Sequence, residues 1–530
     1  MSIKDKSKLF VVFICICALA MSTIPALAQL IDKTKAPNTA DEGINKSLAQ
    51  EIGVGRGDWT TPDSSSFIIS RDPFRAIRRG RQLFQRKFTR AEGQGPVAGD
   101  GFGDVHNKLA IGAGLSDSCA SCHGRPRGAA GVGGDVVTRP DSRDAPHLFG
   151  LGLKEMLADE ITADLRSIRA VAISRAHFLG RPVTRQLKSK DISYGSITAN
   201  PDGTVDASAV EGVDKDLRVR PFFHHGGTIS IREFVVGALN DEMGLAAVDP
   251  EVAQAARGGK AVTPSGMVLD GSKDRIQAPP AADELSDLDG DGIVNEVPVS
   301  LIDYFEFYLL NYFKPATYEQ TSTTERGRKV FDSVGCAVCH VADLQINRDR
   351  RVADVETVYD PVNGIFNSLF ATAIPLFNTI DDGSGFPLLK APQFQPFLVK
   401  DIFTDFKRHD LGPNFYERNY DGTVRTQFLT TALWGVGTTA PYGHDGRSIN
   451  LIEVIRRHGG EAEAARNRFA ALPRVNQSAL LDFLNSLVIF PPDDTASNLN
   501  RGDRTAQGFP QFGRGSIKLT ALFNDPHDPE

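Results

Sequence analysis

Two pentapeptides in this chain each bring two cysteines and a histidine together at a fixed spacing. They are CASCH at Cys119–His123 and CAVCH at Cys336–His340. Each fits Cys-x-x-Cys-His, the attachment sequence for a c-type haem, in which both thiols bond to one porphyrin and the histidine ligates the iron. The two copies predict two covalently attached haems. The residues predicted to hold them are Cys119, Cys122, His123, Cys336, Cys339 and His340.

The cysteine count supports this interpretation. Six cysteines are present, and the two outside the pentapeptides, Cys15 and Cys17, lie in an N-terminal apolar segment. No thiol is left for a structural disulfide. The alternative is one zinc site built from both Cys-x-x-Cys pairs. Zinc leaves the histidine after each pair unexplained, so we favour haem.

The N-terminus has the form of a signal peptide. Three lysines precede an apolar run that ends near Ala20, and Ala26–Ala28 has the A-x-A form of a cleavage site. We therefore expect a mature chain that begins at Gln29 and is periplasmic or secreted, which suits haem attachment after export. The alternative is an uncleaved anchor, although the run is short for a membrane span. We expect no stable membrane insertion after cleavage.

The net charge of the chain bears on whether nucleic acid is a partner. The formal net charge is −7, so nothing in the composition favours nucleic acid as a partner. A mildly acidic exported protein could meet a small basic electron-donor protein, such as a cytochrome or a cupredoxin, but net charge alone specifies no partner. The 30 prolines and 50 glycines predict much irregular structure.

Helical periodicity places the pentapeptides among helices and predicts a mostly α fold, with two cytochrome c-like haem domains and long irregular loops. Residues 246–282 are rich in Ala, Gly and Pro and predict a surface excursion, and 345–400 predict an insertion. The predicted helices cover residues 74–88, 148–169, 231–245, 299–313, 324–334, 451–457 and 477–488.

The same pattern predicts the domain limits. A boundary falls near Pro315, just before the helix that leads into the second pentapeptide. The predicted order is a signal peptide at 1–28, a lead-in at 29–70, an N-terminal cytochrome c-like domain at 71–315, a C-terminal one at 316–495 and a polar tail at 496–530.

Several stretches resemble the bacterial di-haem c-type oxidoreductases, also described as thiol oxidoreductases or peroxidases. They are DSCASCHGRPRG, FGLGLKEM, DLDGDGI, RGRKVFDSVGCAVCH and the segment Thr431–Ala462, in family order. The chain is more distantly similar to di-haem cytochrome c peroxidases, the enzyme that matures methylamine dehydrogenase, and rubber oxygenases. The resemblance covers residues 74 to 490. It implies two facing cytochrome c domains, a reactive N-terminal haem and a C-terminal haem that relays electrons.

The resemblance also suggests the sixth ligand of the C-terminal haem. In di-haem peroxidases a methionine follows the histidine of a PYxHDG-like stretch by fourteen residues. That histidine is His444 here, and fourteen residues on is His458. No methionine follows Met267, so we predict a bis-histidine haem, His340 and His458. The alternative for His458 is a surface histidine. His409 is predicted to support the haem, by contacting either an iron-ligating residue or a haem propionate. The alternative is that His409 is itself the iron ligand.

The N-terminal haem lacks its usual distal histidine. The peroxidases carry one between the pentapeptide and an RNAPT-like stretch, which corresponds here to Arg143–His147. No histidine lies between His123 and His147. We therefore expect an open, reactive iron at this haem, with His147 either packing or replacing the ligand.

The segment 222–244 loosely matches a further peroxidase stretch. The match places Glu242 where the peroxidases keep a distal carboxylate, which is suited to general acid–base catalysis on peroxide. The alternative is a solvated glutamate at a helix end. It places His224 where the peroxidases keep a tryptophan between the haems, and His224 or His225 could approach the N-terminal iron. Trp434 either bridges the domains or is a core aromatic.

An aspartate-rich turn predicts either a calcium site or a polar turn. Asp287, Asp289 and Asp291 begin a calcium-loop pattern, but its twelfth position is Pro298 rather than glutamate. It is therefore not an EF-hand. Related di-haem enzymes bind calcium between their domains, which keeps the calcium hypothesis open.

The sequence leaves three functions open. The first is a peroxidase-like di-haem oxidoreductase that reduces peroxide with electrons entering through the second haem. The second is a haem dioxygenase of the rubber-oxygenase type, with dioxygen as the small-molecule substrate. The third is a non-enzymatic electron carrier with two bis-histidine haems. The thiol in the family's alternative description has no support here, because no free cysteine remains in the mature chain.

Overall fold

The computed structural model describes residues 47–95, 117–123, 144–288, 290–312, 315–317, 320–354, 374–375, 377–380, 389–392, 395–419 and 422–488. The predicted signal peptide and polar tail lie outside these residues. The α-helices in the described part of the chain are α1 Leu48–Ile52, α2 Ser65–Arg71, α3 Pro73–Gln85, α4 Cys119–Cys122, α5 Leu151–Leu179, α6 Ile231–Met243, α7 Pro250–Ala256, α8 Val299–Leu310, α9 Ser322–Ser333, α10 Leu451–Arg457, α11 Glu463–Ala470 and α12 Arg474–Asn485.

The strands are short and pair locally. β1 Val183–Ser189, β2 Ile192–Ala199 and β3 Val205–Asp206 form one antiparallel sheet. The other strands form two-stranded pairs. They are β4 Lys260–Val262, β5 Val268–Asp270, β6 Ala316–Thr317, β7 Leu344–Ile346, β8 Ala353–Asp354, β9 Ile374–Pro375, β10 Phe377–Ile380, β11 Leu389–Pro392, β12 Phe397–Val399, β13 Arg408–Asp410, β14 Glu417–Arg418, β15 Val424–Arg425, β16 Gln427–Leu429 and β17 Leu487–Val488.

A repeated packing unit precedes each pentapeptide. Helix α3 contains RGRQLF and helix α9 contains RGRKVF. A Cβ on the glycine of α3, Gly80, would overlap the backbone of Tyr304 in α8, and one on Gly327 of α9 would overlap the backbone of Ala479 in α12. Glycine therefore allows close backbone approach at both crossings. The two halves of the chain, 47–312 and 315–488, thus share one helix-pair arrangement.

The aromatic residue that ends each of these hexapeptides packs on the later helix. The Phe84 and Tyr308 rings lie 5.7 Å apart, and the Phe331 and Phe483 rings lie 5.6 Å apart. Helix α3 begins with Pro73 in its first turn, and the Asp72 carboxylate accepts a hydrogen bond from the Arg75 amide at 3.2 Å. A cap and an N-terminal proline fix where this helix starts.

Three apolar cores hold the described residues together. The first lies almost entirely in the N-terminal half, and the third lies in the C-terminal half. The second joins α5 and the β1–β2 hairpin to residues from β7, β12 and the segment around Trp434. The two halves therefore share one hydrophobic core across residue 315, the predicted domain boundary.

Two parts of the N-terminal half differ from the sequence interpretation. Residues 246–282 do not form a surface excursion, because Val252, Met267 and Leu269 are buried in the first core. The prediction from the Ala, Gly and Pro content was wrong because the segment folds onto itself and onto the first core, where Ala247, Ala255 and Ala281 are buried. The three-stranded sheet after α5 was not predicted. A mostly α fold is thus supported only in part.

The helix predicted at 148–169 is observed at Leu151–Leu179 and runs ten residues further than predicted. The other predicted helices match their observed bounds within three residues, and Leu451–Arg457 matches at both ends. Within the described part of the chain, no helix has the length and apolar character needed to span a bilayer.

Candidate haem sites and the junction between them

The first pentapeptide forms one helical turn. Helix α4 contains both of its cysteines, and the amide of His123 donates to the Cys119 carbonyl at 3.0 Å. The ring Nδ1 of His123 lies 2.8 Å from the Pro146 carbonyl oxygen. A carbonyl can only accept, so Nδ1 carries the proton and Nε2 keeps its lone pair for a metal.

The second pentapeptide repeats this geometry. The amide of His340 donates to the Cys336 carbonyl at 3.0 Å, and its Nδ1 donates to the Phe403 carbonyl at 3.1 Å. Burial lowers the pKa of His123 and lowers the pKa of His340 to about 4. Both imidazoles are therefore neutral near pH 7, which is the form that ligates a metal.

These two groups of residues fit a c-type haem. None of the four cysteines forms a disulfide bond, each pair sits on one turn, and each histidine is fixed through Nδ1 with Nε2 available. The zinc alternative fits less well. Among the described residues, no cluster of ligand atoms within 4.8 Å combines cysteines from both pairs. Cys119 and Cys122 with His123, and Cys336 and Cys339 with His340, are the residues that would hold the two haems.

His458 lies close to the second motif. It follows α10, and its Nδ1 donates to the Val454 carbonyl at 2.6 Å, so Nε2 again keeps its lone pair. Burial lowers the pKa of His458, and a charge on His458 would in turn lower the pKa of His340. The proximity and the fixed tautomer support the predicted pairing of His340 with His458.

His409 has a different environment. Its Nε2 lies 2.9 Å from an Asp405 carboxylate oxygen and its Nδ1 lies 2.7 Å from Glu461. Burial alone lowers the pKa of His409, but hydrogen bonds to Asp405 and Cys339 outweigh it and raise the pKa to about 11. Because both ring nitrogens of His409 face carboxylate oxygens, neither directs a lone pair toward an iron. The structure thus favours a supporting contact near the haem for His409 over ligation.

The N-terminal motif has His147 on its proximal side. Nε2 of His147 donates to the Trp434 carbonyl at 3.1 Å, and burial, followed by the charge of Lys154, lowers the pKa of His147 to about 4. Nε2 of His147 therefore carries a proton and has no lone pair for an iron. Packing is therefore the role that the structure favours for His147.

Trp434 is both a core residue and a bridge. It is buried in the second core, and its indole lies where a Cβ on Gly150 would stand. It therefore joins the C-terminal half to the start of α5, and the two alternatives predicted for it are compatible.

Glu242 lies in the last turn of α6. The same helix carries Phe234, whose ring lies 6.5 Å from that of His123 in an edge-on contact. Glu242 is eight residues further on, or about 12 Å along the helix axis. The helix that carries Glu242 therefore runs past the N-terminal motif, and the catalytic role of Glu242 stays a prediction.

His224 lies at the junction of the two halves. Its ring stacks on His444 at 4.7 Å and 11°, and its Nε2 lies 2.8 Å from Glu417 Oε2. The His224 carbonyl accepts a hydrogen bond from the Leu429 amide at 2.8 Å. His224 thus lies between the two halves, where it contacts another imidazole, and its predicted role between the haems stays a prediction.

Glu417 organises this junction. Arg425, its partner across the β14–β15 pair, forms an ion pair with Oε1, and His444 Nε2 lies 3.4 Å from Oε2. Its side chain is only 4% exposed. Glu417 and Arg425 were not predicted from the sequence, since no motif surrounds them. The RGR-x-Leu/Val-Phe repeat was not predicted either, although comparison of the two halves could have found it.

The aspartate-rich turn resembles a polar turn. Both carboxylate oxygens of Asp287 accept backbone hydrogen bonds, from Gly290 at 2.8 Å and Gly292 at 3.0 Å. Asp291 accepts one from Ile293 at 2.7 Å. Asp289 lies outside the described residues. These bonds are what the polar-turn alternative expects, and the calcium site stays a prediction.

Comparison with known proteins gives one family match. Residues 342–487 match the family described as "Di-haem oxidoreductase, putative peroxidase". The match begins two residues after the second pentapeptide and includes His409, His444 and His458. No curated protein sequence matches the chain.

Two solved structures show partial similarity. A hydrazine synthase from Kuenenia stuttgartiensis is 15% identical with a TM-score of 0.21, over 36% of this chain and 55% of that one. A MauG-like protein associated with microbial copper homeostasis is 13% identical with a TM-score of 0.24, over 56% of this chain and 79% of that one. This chain thus spans about half the length of the hydrazine synthase chain. The resemblance predicted from the motifs is confirmed by the family match: over residues 342–487 this chain matches the di-haem oxidoreductases, a family that carries haem.

Proposed function

We propose that this protein is an exported di-haem c-type oxidoreductase that reduces peroxide. Electrons enter at the C-terminal haem from a small donor protein, a cytochrome or cupredoxin, and pass to the N-terminal site. The family match supports the oxidoreductase class. The observation that carries the finer proposal is an asymmetry between the two motifs. Their proximal histidines are held alike and each has a neutral imidazole beside it, but Nε2 of His458 keeps its lone pair whereas Nε2 of His147 donates to the Trp434 carbonyl.

This asymmetry is the basis for assigning electron transfer to the C-terminal site and the reaction to the N-terminal site. When bound, a haem supplies a redox-active iron whose sixth position either takes a protein ligand, which favours electron transfer, or stays open to a small molecule. His458 would supply such a ligand on the C-terminal side. On the N-terminal side Nε2 of His147 donates to the Trp434 carbonyl, so this nitrogen does not fill the sixth position. The reactive site is therefore the N-terminal one in this proposal.

A continuous series of ring contacts supports the electron transfer. It joins His123 of the first motif to His458 beside the second, and each step has ring centroids between 4.7 and 6.5 Å apart. In order, the rings are His123, Phe234, Phe223, His225, His224, His444, Phe415 and His458.

The middle of this series replaces the bridging tryptophan of the peroxidases. His224 and His444 are stacked at 4.7 Å, and both direct Nε2 toward Glu417 Oε2. A carboxylate that accepts from both rings can stabilise positive charge on either imidazole. The pair therefore has a local means of balancing charge while electrons pass between the halves.

Electron paramagnetic resonance of the oxidised protein, combined with substrate consumption, tests the proposal. We expect one high-spin and one low-spin haem, and steady loss of hydrogen peroxide when a reduced small cytochrome is supplied. The matched control is the Cys119→Ser/Cys122→Ser variant, which retains the C-terminal motif and should lose peroxide reduction. Two low-spin haems without peroxide consumption would identify a carrier instead. Consumption of dioxygen without peroxide reduction would identify an oxygenase.

A further inference from the structure

We propose that His224, His225 and Glu417 form a binding site for one divalent transition-metal ion of the zinc class, separate from both haem irons. One ligand atom from each of these residues lies within 4.8 Å of the other two. The two histidines come from the N-terminal half and the glutamate from the C-terminal half, so the site lies at the junction.

The carboxylate has one oxygen directed toward the proposed site. Glu417 Oε1 is held by Arg425, while Oε2 lies 2.8 Å from His224 Nε2. Ligand atoms about 2.1 Å from one ion stand roughly 3.0–3.5 Å apart, so this pair is close to the spacing that a shared ion needs. The arrangement suits monodentate ligation with Arg425 as the outer partner of the carboxylate.

The geometry of the three histidine rings distinguishes the two proposed ligands, His224 and His225, from His444, which supports the carboxylate. The His224 and His225 rings are 5.1 Å apart and nearly perpendicular, at 77°, so their nitrogens can approach one point from different directions. His444 stacks parallel to His224 at 11°. Among the described residues, the group of ligand atoms within 4.8 Å of one another contains His224, His225 and Glu417 but not His444. His444, with Nε2 at 3.4 Å from Glu417 Oε2, instead fixes the carboxylate.

The donor set defines the class of ion. Two imidazoles and one carboxylate are typical of zinc and of other late first-row divalent metals, whereas calcium and magnesium prefer sites made of oxygen ligands. Three protein ligands also leave a position for water, as in open zinc sites. Without an ion, the same residues form a hydrogen-bonded cluster, which is the competing explanation that the experiment must exclude.

Binding here would connect the two halves of the molecule. The His224 backbone is already bonded to Leu429, and the Asp144 amide donates to the His444 carbonyl at 2.8 Å. An ion held by all three ligands stabilises the docked arrangement, because it binds only when the halves are together. This inference stands apart from the proposed reaction, since ion binding is measured without turnover.

The test measures metal content in tag-free protein with both haems attached. The protein is dialysed against EDTA, exposed to excess Zn²⁺, and desalted; non-haem metal is then measured by elemental analysis, with haem quantified separately by absorbance. We expect one zinc per chain and a higher melting temperature with zinc than without. Glu417→Gln and, separately, His225→Asn should each lose most of the bound zinc while keeping two haems. The matched control is His177→Gln at an exposed histidine on α5, which should keep one zinc.

Zinc below a tenth of an equivalent in the wild type, with no change in melting temperature, would overturn the proposal. So would full zinc binding in both Glu417→Gln and His225→Asn. Because the wild-type measurement needs no substitution, a variant that fails to fold does not remove the test.

Discussion

The two Cys-x-x-Cys-His motifs are alike in what holds them and differ in what stands beside them. Each follows a helix with the RGR-x-Leu/Val-Phe sequence, and each histidine donates Nδ1 to a backbone carbonyl. Beside His340 lies His458, a second neutral imidazole with Nε2 available. Beside His123 lies His147, whose Nε2 is committed to Trp434. The two motifs thus differ in whether the neighbouring imidazole has a nitrogen available to a metal.

The variant with the largest expected effect tests whether both motifs attach a haem. Replacing Cys119 and Cys122 with serine, or Cys336 and Cys339 with serine, removes the thiols that would attach one haem. Each double variant should retain half of the covalent haem of the wild type, measured by intact-protein mass spectrometry. A wild-type protein with no added haem mass would refute the interpretation of both motifs.

The next prediction tests the difference between them. His458→Ala should convert the C-terminal haem from low-spin to high-spin, because its sixth ligand is lost. Electron paramagnetic resonance measures this directly. His409→Gln is the matched control, since His409 uses both nitrogens for carboxylates, and it should stay low-spin. The reverse pattern would make His409 the ligand.

Glu242→Gln tests whether the N-terminal side carries acid–base chemistry. The variant keeps the size of the side chain but cannot exchange a proton, so haem content and spin state should be unchanged. Peroxide turnover should fall by roughly a hundredfold to ten-thousandfold, the usual cost of losing a positioned acid–base group. Equal turnover in an active wild type and the variant would place Glu242 among the surface residues.

The ring series predicts a smaller, kinetic effect. His444→Leu removes the contacts with His224 and Phe415 that connect the two halves. Electron exchange between the haems, followed by stopped-flow absorbance after partial reduction, should slow. Phe428→Leu is the control, because Phe428 stacks on His444 at 4.3 Å without being a required step of the series. Equal slowing in both variants would mean that packing at the junction, rather than the series, sets the rate.

The smallest effect concerns pH and His147. Burial lowers its pKa to about 4 in the folded protein, below its ordinary value near 6.5. Between these pH values the unfolded chain binds more protons, so this residue's contribution to stability is lost as pH falls through the window. The loss amounts to about 3 kcal/mol at pH 4 and below.

His147→Gln should make the urea midpoint less dependent on pH between 6.5 and 4, because Gln can donate to Trp434 without titrating. Its haem spin state should equal that of the wild type. A changed spin state at the N-terminal haem would instead identify His147 as an iron ligand.

Local sequence signals predicted most helices, because periodicity, caps and the pentapeptides depend on near neighbours. The signal at Leu451–Arg457 gave both ends of α10. The junction could not be predicted in the same way. Glu417 and His224 are 193 positions apart, and only the tertiary fold brings their side chains to 2.8 Å. The surface excursion predicted at 246–282 was wrong for a different reason. A local stretch of small residues looks the same in an exposed loop and in a tightly packed core.

The core shared by α5 and the later strands has a consequence for the order of synthesis. The ribosome makes α5 and the β1–β2 hairpin well before the segment from Leu344 to Trp434 that covers them. Until that segment arrives, Leu157, Ile161 and Leu165 of α5 have an incomplete apolar environment, although all three are fully buried in the finished fold. A chain truncated near residue 312 should therefore present this helix to a protease, whereas one extending past Trp434 should protect it.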